Sequence, residues 1–457
     1  MRFYLFVPLL MLLSACSAPP ELESPSPTLP DAWQADTPAD DPVPPWLTTL
    51  QDDTLAALVA EALVANPALA AARQQLRAAE QRVRLVGADR YPQLSLELGS
   101  RRQEESVRMD SLELSLGWTL DVWGKLAADQ REAELNRAVA AAAHTEQREA
   151  LAAQLAQNWF ALQEARLLLE LYRQRRDNLQ QNLEIIESGY RQGLNEALDL
   201  YLARNNLHAE AARVAQQQQT LSELQRELER LLGRYPSATL TSSARLPLIE
   251  TPVPAGQPSD LLSRRPDLQQ QWLTLLATDA ALAAAHRARF PTLRLNAAQG
   301  GSSDSLSDLL SSGNLAWSLG ASLVQDLFDA GRKAALQEQA LASRREQEQR
   351  WLEALFQSLT EVENALSARH SLTTRHALYL RAEENALNAE RLAFEQYRNG
   401  LESYTTVLEA QRRALDAQTS VISLRRQLLD NRIKLHRALG GRFQADTPDQ
   451  TEALDTP

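Results

Sequence analysis

The chain has 457 residues, a formal net charge of −12 and a pI near 5.2. This charge balance argues against a nucleic-acid partner, because phosphate binding needs a clustered basic face and the sequence contains none. Cys16 is the only cysteine. The chain can therefore form no intramolecular disulfide.

The first residues predict an export signal. The apolar run FYLFVPLLMLL follows Arg2 and ends in Leu-Ser-Ala before Cys16. It is too short for a transmembrane helix, which needs about 20 residues. We interpret residues 1–15 as a signal peptide and predict that Cys16 is lipidated, with no other cofactor; a chance cysteine is the alternative. The Pro-rich residues 16–45 then predict an extended tether.

The rest of the chain is predicted to be an internal tandem duplication. Proline motifs recur 199 residues later and glycine motifs 207 residues later. The pairs are Asn66-Pro67 with Arg265-Pro266, Tyr91-Pro92 with Phe290-Pro291, Gly124 with Gly331, Tyr190-Arg191 with Tyr397-Arg398, Gly193 with Gly400, and Leu232-Gly233 with Leu439-Gly440. The second copy carries an insertion, GGSSDSLSD, that accounts for the difference. We assign residues 46–233 to the first repeat, 234–258 to a linker, 259–443 to the second repeat and 444–457 to a flexible tail.

Each repeat is predicted to contain a long helical hairpin. Residues 125–192 and 332–399 are rich in Ala, Leu, Glu, Gln and Arg and contain no proline, so each can form one helix of roughly 100 Å. Gly193 and Gly400 are predicted to end these helices, and a shorter antiparallel helix follows each glycine. Leucines spaced three and four residues apart predict coiled-coil packing.

Two strands precede each hairpin, because the apolar period changes there from helical to two. The alternating segments are Leu94 to Leu98, Leu112 to Leu120, Leu293 to Ala297 and Leu315 to Leu323. Strands of this length fit an outer-membrane barrel, with Trp118 and Trp317 as possible interfacial aromatics. A soluble hairpin with one face on a core is the alternative. If the strands are in lipid, the four strands of one chain cannot close a barrel, and the chain must assemble. Two copies would give eight strands and a filled interior, whereas three copies would give twelve strands and a lumen suited to transport.

Several motifs carry a resemblance to a known family. They are LDVWGK at 120–125, LFDAGRK at 327–333, YRQGL at 190–194, and YRNGLESYTTVLEAQ in the second repeat. Over about residues 46–443 the chain resembles the TolC-like outer-membrane efflux channels, in their OprM/NodT-type lipoprotein branch. The resemblance implies an α+β membrane protein: a homotrimer whose 12-stranded β-barrel, four strands per chain, continues into a long α-helical coiled-coil barrel. It also implies a mixed equatorial domain, a periplasmic adaptor and an inner-membrane RND-type pump.

The same resemblance indicates where a gate would lie. In that family the hairpin tips close the periplasmic entrance through Tyr/Arg contacts and acidic rings. The gate candidates are Tyr190, Arg191, Asp199, Tyr397, Arg398 and Glu409, next to the hairpin turns at Gly193 and Gly400. Thr406 stands where some relatives have an acidic residue, and ordinary helix packing is the alternative role for the tyrosines.

No pattern predicts catalysis or a metal site. The six histidines show no i, i+4 pair, and no Walker loop or GxSxG motif is present. We therefore predict that the protein is not an enzyme. The leading hypothesis is a lipid-anchored outer-membrane channel, with a large periplasmic portion, that exports drugs, metals or other small solutes in a tripartite efflux system. The alternatives are a channel for type I protein secretion and a non-conducting coiled-coil lipoprotein of the envelope.

Overall fold

The structure is a computed structural model that describes residues 25, 27–35, 45–102, 109–305, 308–309 and 315–443. The predicted signal peptide, Cys16 and the tail 444–457 lie outside the described residues. The chain forms two compact units. Within the described residues, the strand unit comprises Ala72–His144 and Asp267–Leu355, and the core unit comprises Leu29–Ala71, Thr145–Pro266 and 356–443.

Helices make up most of the described chain, and the longest of them come in pairs of equal length. The bounds are α1 Trp46–Thr49, α2 Asp53–Ala65, α3 Pro67–Ala88, α4 Lys125–Arg191, α5 Ala197–Leu231, α6 Leu261–Arg264, α7 Pro266–Arg287, α8 Arg332–Arg398 and α9 Tyr404–Ala438, with a 3₁₀ turn at Pro258–Asp260. Helices α4 and α8 each have 67 residues, and α5 and α9 each have 35. The two predicted helical hairpins are thus confirmed.

None of the helices in the described part of the chain is by itself long and apolar enough to cross a membrane. Helices α2 and α3, which meet at an angle of 48°, satisfy the length and composition requirement only when they are taken together.

The four strands form one antiparallel sheet in the order β1-β2-β3-β4. Their bounds are β1 Gln93–Arg101, β2 Met109–Leu120, β3 Thr292–Ser303 and β4 Leu315–Val324. Strand β3 is longer than the predicted segment Leu293 to Ala297, because the first four residues of the GGSSDSLSD insertion continue it. Strands β1 and β4 are the two edges of this sheet, so each has one side without a partner strand within the described residues.

Glycines end both long helices, as the sequence predicts. Gly193 and Gly400 have φ values of +75° and +71°, a region that a residue with a Cβ enters only at a cost. The following residue closes each turn: the Leu194 amide donates to the Gly189 carbonyl at 2.8 Å, and the Leu401 amide bonds in the same way. These hydrogen bonds satisfy carbonyls at the helix ends and let the chain reverse direction.

The core unit is built around aromatic and leucine side chains from both halves of the chain. Trp46, Trp159, Phe160, Leu228 and Ile433 are all buried in one apolar cluster. Each such side chain stabilises the fold by about 1.5–3 kcal/mol relative to exposure. The cluster thereby packs helix α1 against helices from both hairpins.

Part of the predicted tether is bound to the core unit. Trp33 is buried, and its indole Nε1 donates to the carbonyls of Ala255 and Gly256 at 3.3 Å and 3.0 Å. The Gln34 amide donates to a Glu363 carboxylate oxygen at 2.8 Å. The chain around Trp33 is therefore docked, and the description as a tether does not apply to it.

Candidate functional site

The sheet has one apolar face, and that face is uncovered. Leu94, Leu96 and Leu98 on β1 are about two-thirds exposed. They lie opposite Leu116, Leu114 and Leu112 on β2, so these side chains share one face. Strands β3 and β4 continue the face with the pairs Leu293–Leu323 and Ala297–Leu319.

The opposite face of the sheet is polar. Its residues include Ser95, Glu97, Ser115, Arg294 and Asn296, which alternate with the apolar set. The Ser95 and Ser115 hydroxyls are hydrogen-bonded at 2.8 Å. A soluble hairpin would bury its apolar face on a core, whereas within the described residues the leucines of β1 remain exposed. An exposed apolar face backed by a polar one matches a strand between lipid and a water-filled lumen.

The two tryptophans of the sheet lie four residues apart along it, at the levels of Leu295 and Gln299 of β3. Trp118 is opposite Leu295 near the end of β2, and its indole Nε1 donates to the Arg90 carbonyl at 2.9 Å. Trp317 is opposite Gln299 near the start of β4 and is mostly exposed. Four residues of a strand span about 14 Å, which is shorter than the apolar band of about 25 Å in an outer-membrane barrel. The two rings therefore do not mark opposite interfaces, and an interfacial role for either one stays a prediction.

The hairpin tips contain a contact between the two helical hairpins. The Tyr397 hydroxyl on α8 donates to a carboxylate oxygen of Asp199 on α5 at 3.0 Å. The Tyr397 ring is tilted against the Tyr404 ring at a centroid distance of 5.2 Å. Tyr404 is buried in an apolar cluster with Ile186 and Val407. This Tyr397–Asp199 contact therefore links the tips of the two hairpins across a partly apolar junction.

Burial and charge keep the phenols of this junction neutral. Burial, followed by the hydrogen bond to Asp199, raises the pKa of Tyr397 far above its usual value. Burial raises the pKa of Tyr404 to about 12, with a smaller contribution from the Asp199 charge. Tyr397 therefore remains a hydrogen-bond donor over the whole physiological pH range.

The other candidate residues are not part of this contact. Tyr190 is exposed, and Arg191 is exposed with a 3.5 Å approach to Glu187. Arg398 is exposed as well. Glu409 is paired with Arg412 and Arg413 on its own helix, and hydrogen bonds from these arginines lower its pKa. Of the six candidates, the structure brings together only Tyr397 and Asp199.

Sequence reasoning missed two features of the tips. One is Tyr404, whose place seven residues after Tyr397 would indicate a shared helix face if Gly400 did not interrupt the helix. The other is an ion pair between Arg204 and Glu187 at 2.7 Å, which joins α5 to α4. No short-range pattern signals that pair, because 17 residues and a turn separate its members.

The described residues contain no group of three or more His, Cys, Asp or Glu side chains arranged to hold a metal ion. Cys16, the predicted lipid site, lies outside them.

Comparisons with known proteins agree with the sheet and the hairpins. The chain matches the outer membrane efflux protein family over residues 58–234 and 257–441. It is similar to the cation efflux system protein CusC of Escherichia coli, at 29% identity over 336 residues that cover 72% of this chain and 73% of CusC. It is also similar to the toluene efflux pump outer membrane protein TtgC of Pseudomonas putida, at 26% identity over an alignment of 474 positions that covers 98% of this chain and 97% of TtgC.

Solved structures show the same fold. The outer-membrane channel OprN matches with a TM-score of 0.84 and 27% identity, over 94% of this chain and all of the OprN chain. The family match spans most of the chain, and it includes the sheet and both helical hairpins. The chain therefore belongs to the outer membrane efflux protein family and is an outer-membrane transport protein.

Proposed function

We propose that three copies of this chain assemble into an outer-membrane channel that exports small molecules as one part of a tripartite efflux system. The observation that carries the proposal is the four-stranded sheet, whose apolar face is exposed and whose edges β1 and β4 lack partner strands within the described residues. Open edges are not tolerated in lipid, because each unpaired backbone group there costs several kcal/mol. Assembly removes both edges at once.

Three copies give twelve strands and a lumen wide enough for water and solutes, whereas two copies give eight strands and a filled interior. The polar face of the sheet would line that lumen, and the apolar face would contact lipid. Helices α4, α5, α8 and α9 would then continue the channel as a helical barrel. The paired motifs and the equal helix lengths support a tandem duplication, in which each repeat supplies one hairpin of strands and one of helices.

The partners of the channel are proposed from its relatives. CusC is named for cation efflux, TtgC for toluene efflux, and OpmQ, 26% identical over 98% of this chain, for pyoverdine export. These cargoes share no chemistry, so we infer that a separate pump selects the cargo and that this chain conducts it. A periplasmic adaptor and an inner-membrane RND-type pump would complete the system.

The tips of the hairpins would form the gate of the resting channel. An open tube of this width would leak periplasmic contents, so the resting channel needs a closure. The Tyr397–Asp199 contact joins the tips of the two repeats and is suited to this task, because losing one partner leaves the other unsatisfied. Tyr190, Arg191, Arg398 and Glu409 are exposed or paired locally in the single chain, and we propose that they act between subunits.

Lipidation of Cys16 would anchor the mature chain in addition to the barrel. Mass spectrometry of the mature N-terminus should find Cys16 as the first residue and should find it acylated. An unmodified Cys16, or cleavage at another position, would show that the lipid prediction is wrong. Cys16→Ala should still form trimers, because the strands themselves insert.

The proposed channel is tested directly by conductance. Native mass spectrometry of the purified protein should give a trimer, and planar bilayers containing it should show discrete current steps. A trimer that conducts no ions would favour a structural coiled-coil lipoprotein of the envelope instead. Deletion of the gene should sensitise cells to small toxic solutes. If the deletion strain instead only fails to secrete a protein and keeps its resistance to such solutes, the type I secretion channel is favoured.

A further inference from the structure

The two strand hairpins of the chain have equivalent registers. Leu94 pairs with Leu116 in the first hairpin, and Leu293 pairs with Leu323 in the second. Leu293 comes 199 positions after Leu94, and Leu323 comes 207 positions after Leu116. These are the offsets that relate the proline and glycine motifs. The offsets therefore hold in three dimensions within the sheet.

A side-chain contact confirms the equivalence at the end of the strands. Trp118 Nε1 donates to the Arg90 carbonyl at 2.9 Å, and Gln325 Nε2 donates to the Arg289 carbonyl at 3.1 Å. Gln325 is the counterpart of Trp118 at an offset of 207, and Arg289 is the counterpart of Arg90 at 199. The residues differ in chemistry but occupy the same place. Yet Trp118 lies within β2, whereas Gln325 comes one residue after β4 ends.

The pairing of β2 with β3 joins the two repeats within the sheet. The register of this internal seam predicts the register of a second seam, between two subunits. Strand β2 of the first repeat pairs with β3 of the second, with Leu116 opposite Ala297 and Leu120 opposite Leu293. In a closed ring of three chains, the same kind of seam must recur between β4 of one chain and β1 of the next. The offsets then define which residues face each other across it.

We propose that β4 of one subunit pairs with β1 of a second copy in the register that places Leu323 opposite Leu98 and Leu327 opposite Leu94. Residues 325–327 thereby extend β4, as their counterparts already extend β2. This inference rests on the trimer proposed above and deepens it, because it specifies how two copies meet.

Exposure and face are consistent with this register. Leu98 and Leu323 both belong to the apolar face and are each 65% exposed in the single chain, and Leu327 is 95% exposed. Leu120, the counterpart of Leu327, is only partly exposed because β3 lies beside it. If β4 slipped by one residue against β1, its apolar side chains would lie on the same face as the polar side chains of β1. A slip by two would keep the faces but break the equivalence with the internal seam.

The register is tested by disulfide cross-linking. Leu98→Cys combined with Leu323→Cys should link neighbouring subunits, because directly opposite residues have Cα atoms about 4.5–5.5 Å apart, within disulfide range. The matched control is Leu96→Cys with Leu323→Cys, whose Cα atoms would be about 7–8 Å apart. A link within one chain is excluded, since β1 and β4 are separated by two strands, about 14 Å in all. The parent chain, with Cys16 alone, gives the background.

On denaturing, non-reducing gels, the Leu98/Leu323 pair should give covalent dimers and trimers at least about tenfold above the control pair. The strand extension is tested in the same way by Leu94→Cys with Leu327→Cys, and its control is Leu94→Cys with Gln325→Cys. Both test pairs should lose the linked species on reduction.

Two outcomes would show that the register is wrong without contradicting the proposed channel. One is preferential linking of a control pair. The other is the absence of any link in a protein that is trimeric and conducting when reduced. If no pair links and the parent protein is neither trimeric nor conducting, the proposed function itself fails, and the inference fails with it.

Discussion

The Tyr397 hydroxyl offers the sharpest test of the gate. Tyr397→Phe removes only the donor to Asp199, because the ring keeps its packing on Tyr404. A hydrogen bond to a charged group contributes about 1.5–3 kcal/mol. One lost bond per chain should therefore shift each contact about 10- to 150-fold towards the separated state, at 1.4 kcal/mol per tenfold change. Three subunits that open together would add their losses.

The assay is single-channel recording from trimers whose integrity is first checked by native mass spectrometry. Tyr397→Phe should raise the open fraction or the conductance, and Asp199→Ala should do the same. The double variant should show less than the sum of the two, because both changes remove one shared bond.

Tyr404→Phe is the matched control. The Tyr404 hydroxyl is buried and has no hydrogen-bond partner within the described residues, so its removal should leave the gate unchanged. Equal effects of Tyr397→Phe and Tyr404→Phe would refute the reasoning. So would additive effects in the Tyr397/Asp199 cycle, which would reduce these side chains to ordinary packing.

Three further predictions concern the sheet, the turns and the core. Leu114→Arg on the apolar face should cost about 2–4 kcal/mol near the bilayer midplane and reduce trimer yield, whereas Ser115→Arg should cost much less. Gly233→Ala should lower the thermal midpoint more than Gly193→Ala. Both glycines have positive φ, which costs an alanine about 1–2 kcal/mol, but only at Gly233 would the new Cβ meet a backbone oxygen, at 2.5 Å. Burial raises the pKa of Glu149 to about 7, so the contribution of this carboxyl to stability should fall as the pH rises from about 4.5 to 7, and the stability of the wild type relative to Glu149→Gln should fall over that range.

Each of these has an outcome that contradicts it. Equal damage from the two arginine substitutions would mean that the alternation of faces has been misread. Equal midpoints for the two alanine variants would mean that the contact at Gly233 relaxes without cost. For the pH prediction, the folded carboxyl binds its proton more tightly than the unfolded one, so Glu149→Gln should be the more stable protein at pH 8 and not at pH 4. Glu170→Gln, an exposed change on the same helix, is the control.

The sequence by itself determined the parts of this protein that depend on local periodicity. Glycine positions predicted the ends of α4 and α8 to within one residue, because a long proline-free helix stops where a left-handed residue is needed. The period-two segments predicted all four strands, since alternation has meaning within a single strand. They did not predict the full length of β3, because the glycines and serines of the insertion resemble a loop in sequence and pair only when β2 lies beside them.

Contacts between distant residues were decided only by the tertiary structure. The order of the sheet, the docking of Trp33 and the bond from Tyr397 to Asp199 join residues that are up to 223 positions apart. Six candidates at the hairpin tips were equally plausible in sequence, because a helix surface does not reveal which of its side chains meets another helix. The structure separates them by burial: the Tyr397–Asp199 pair lies where two hairpins pack, whereas Glu409 remains with arginines of its own helix. The end of a helix depends on the backbone conformation of one residue, which the sequence specifies locally. A contact between distant residues depends on how two segments of the chain pack together, which only the tertiary structure decides.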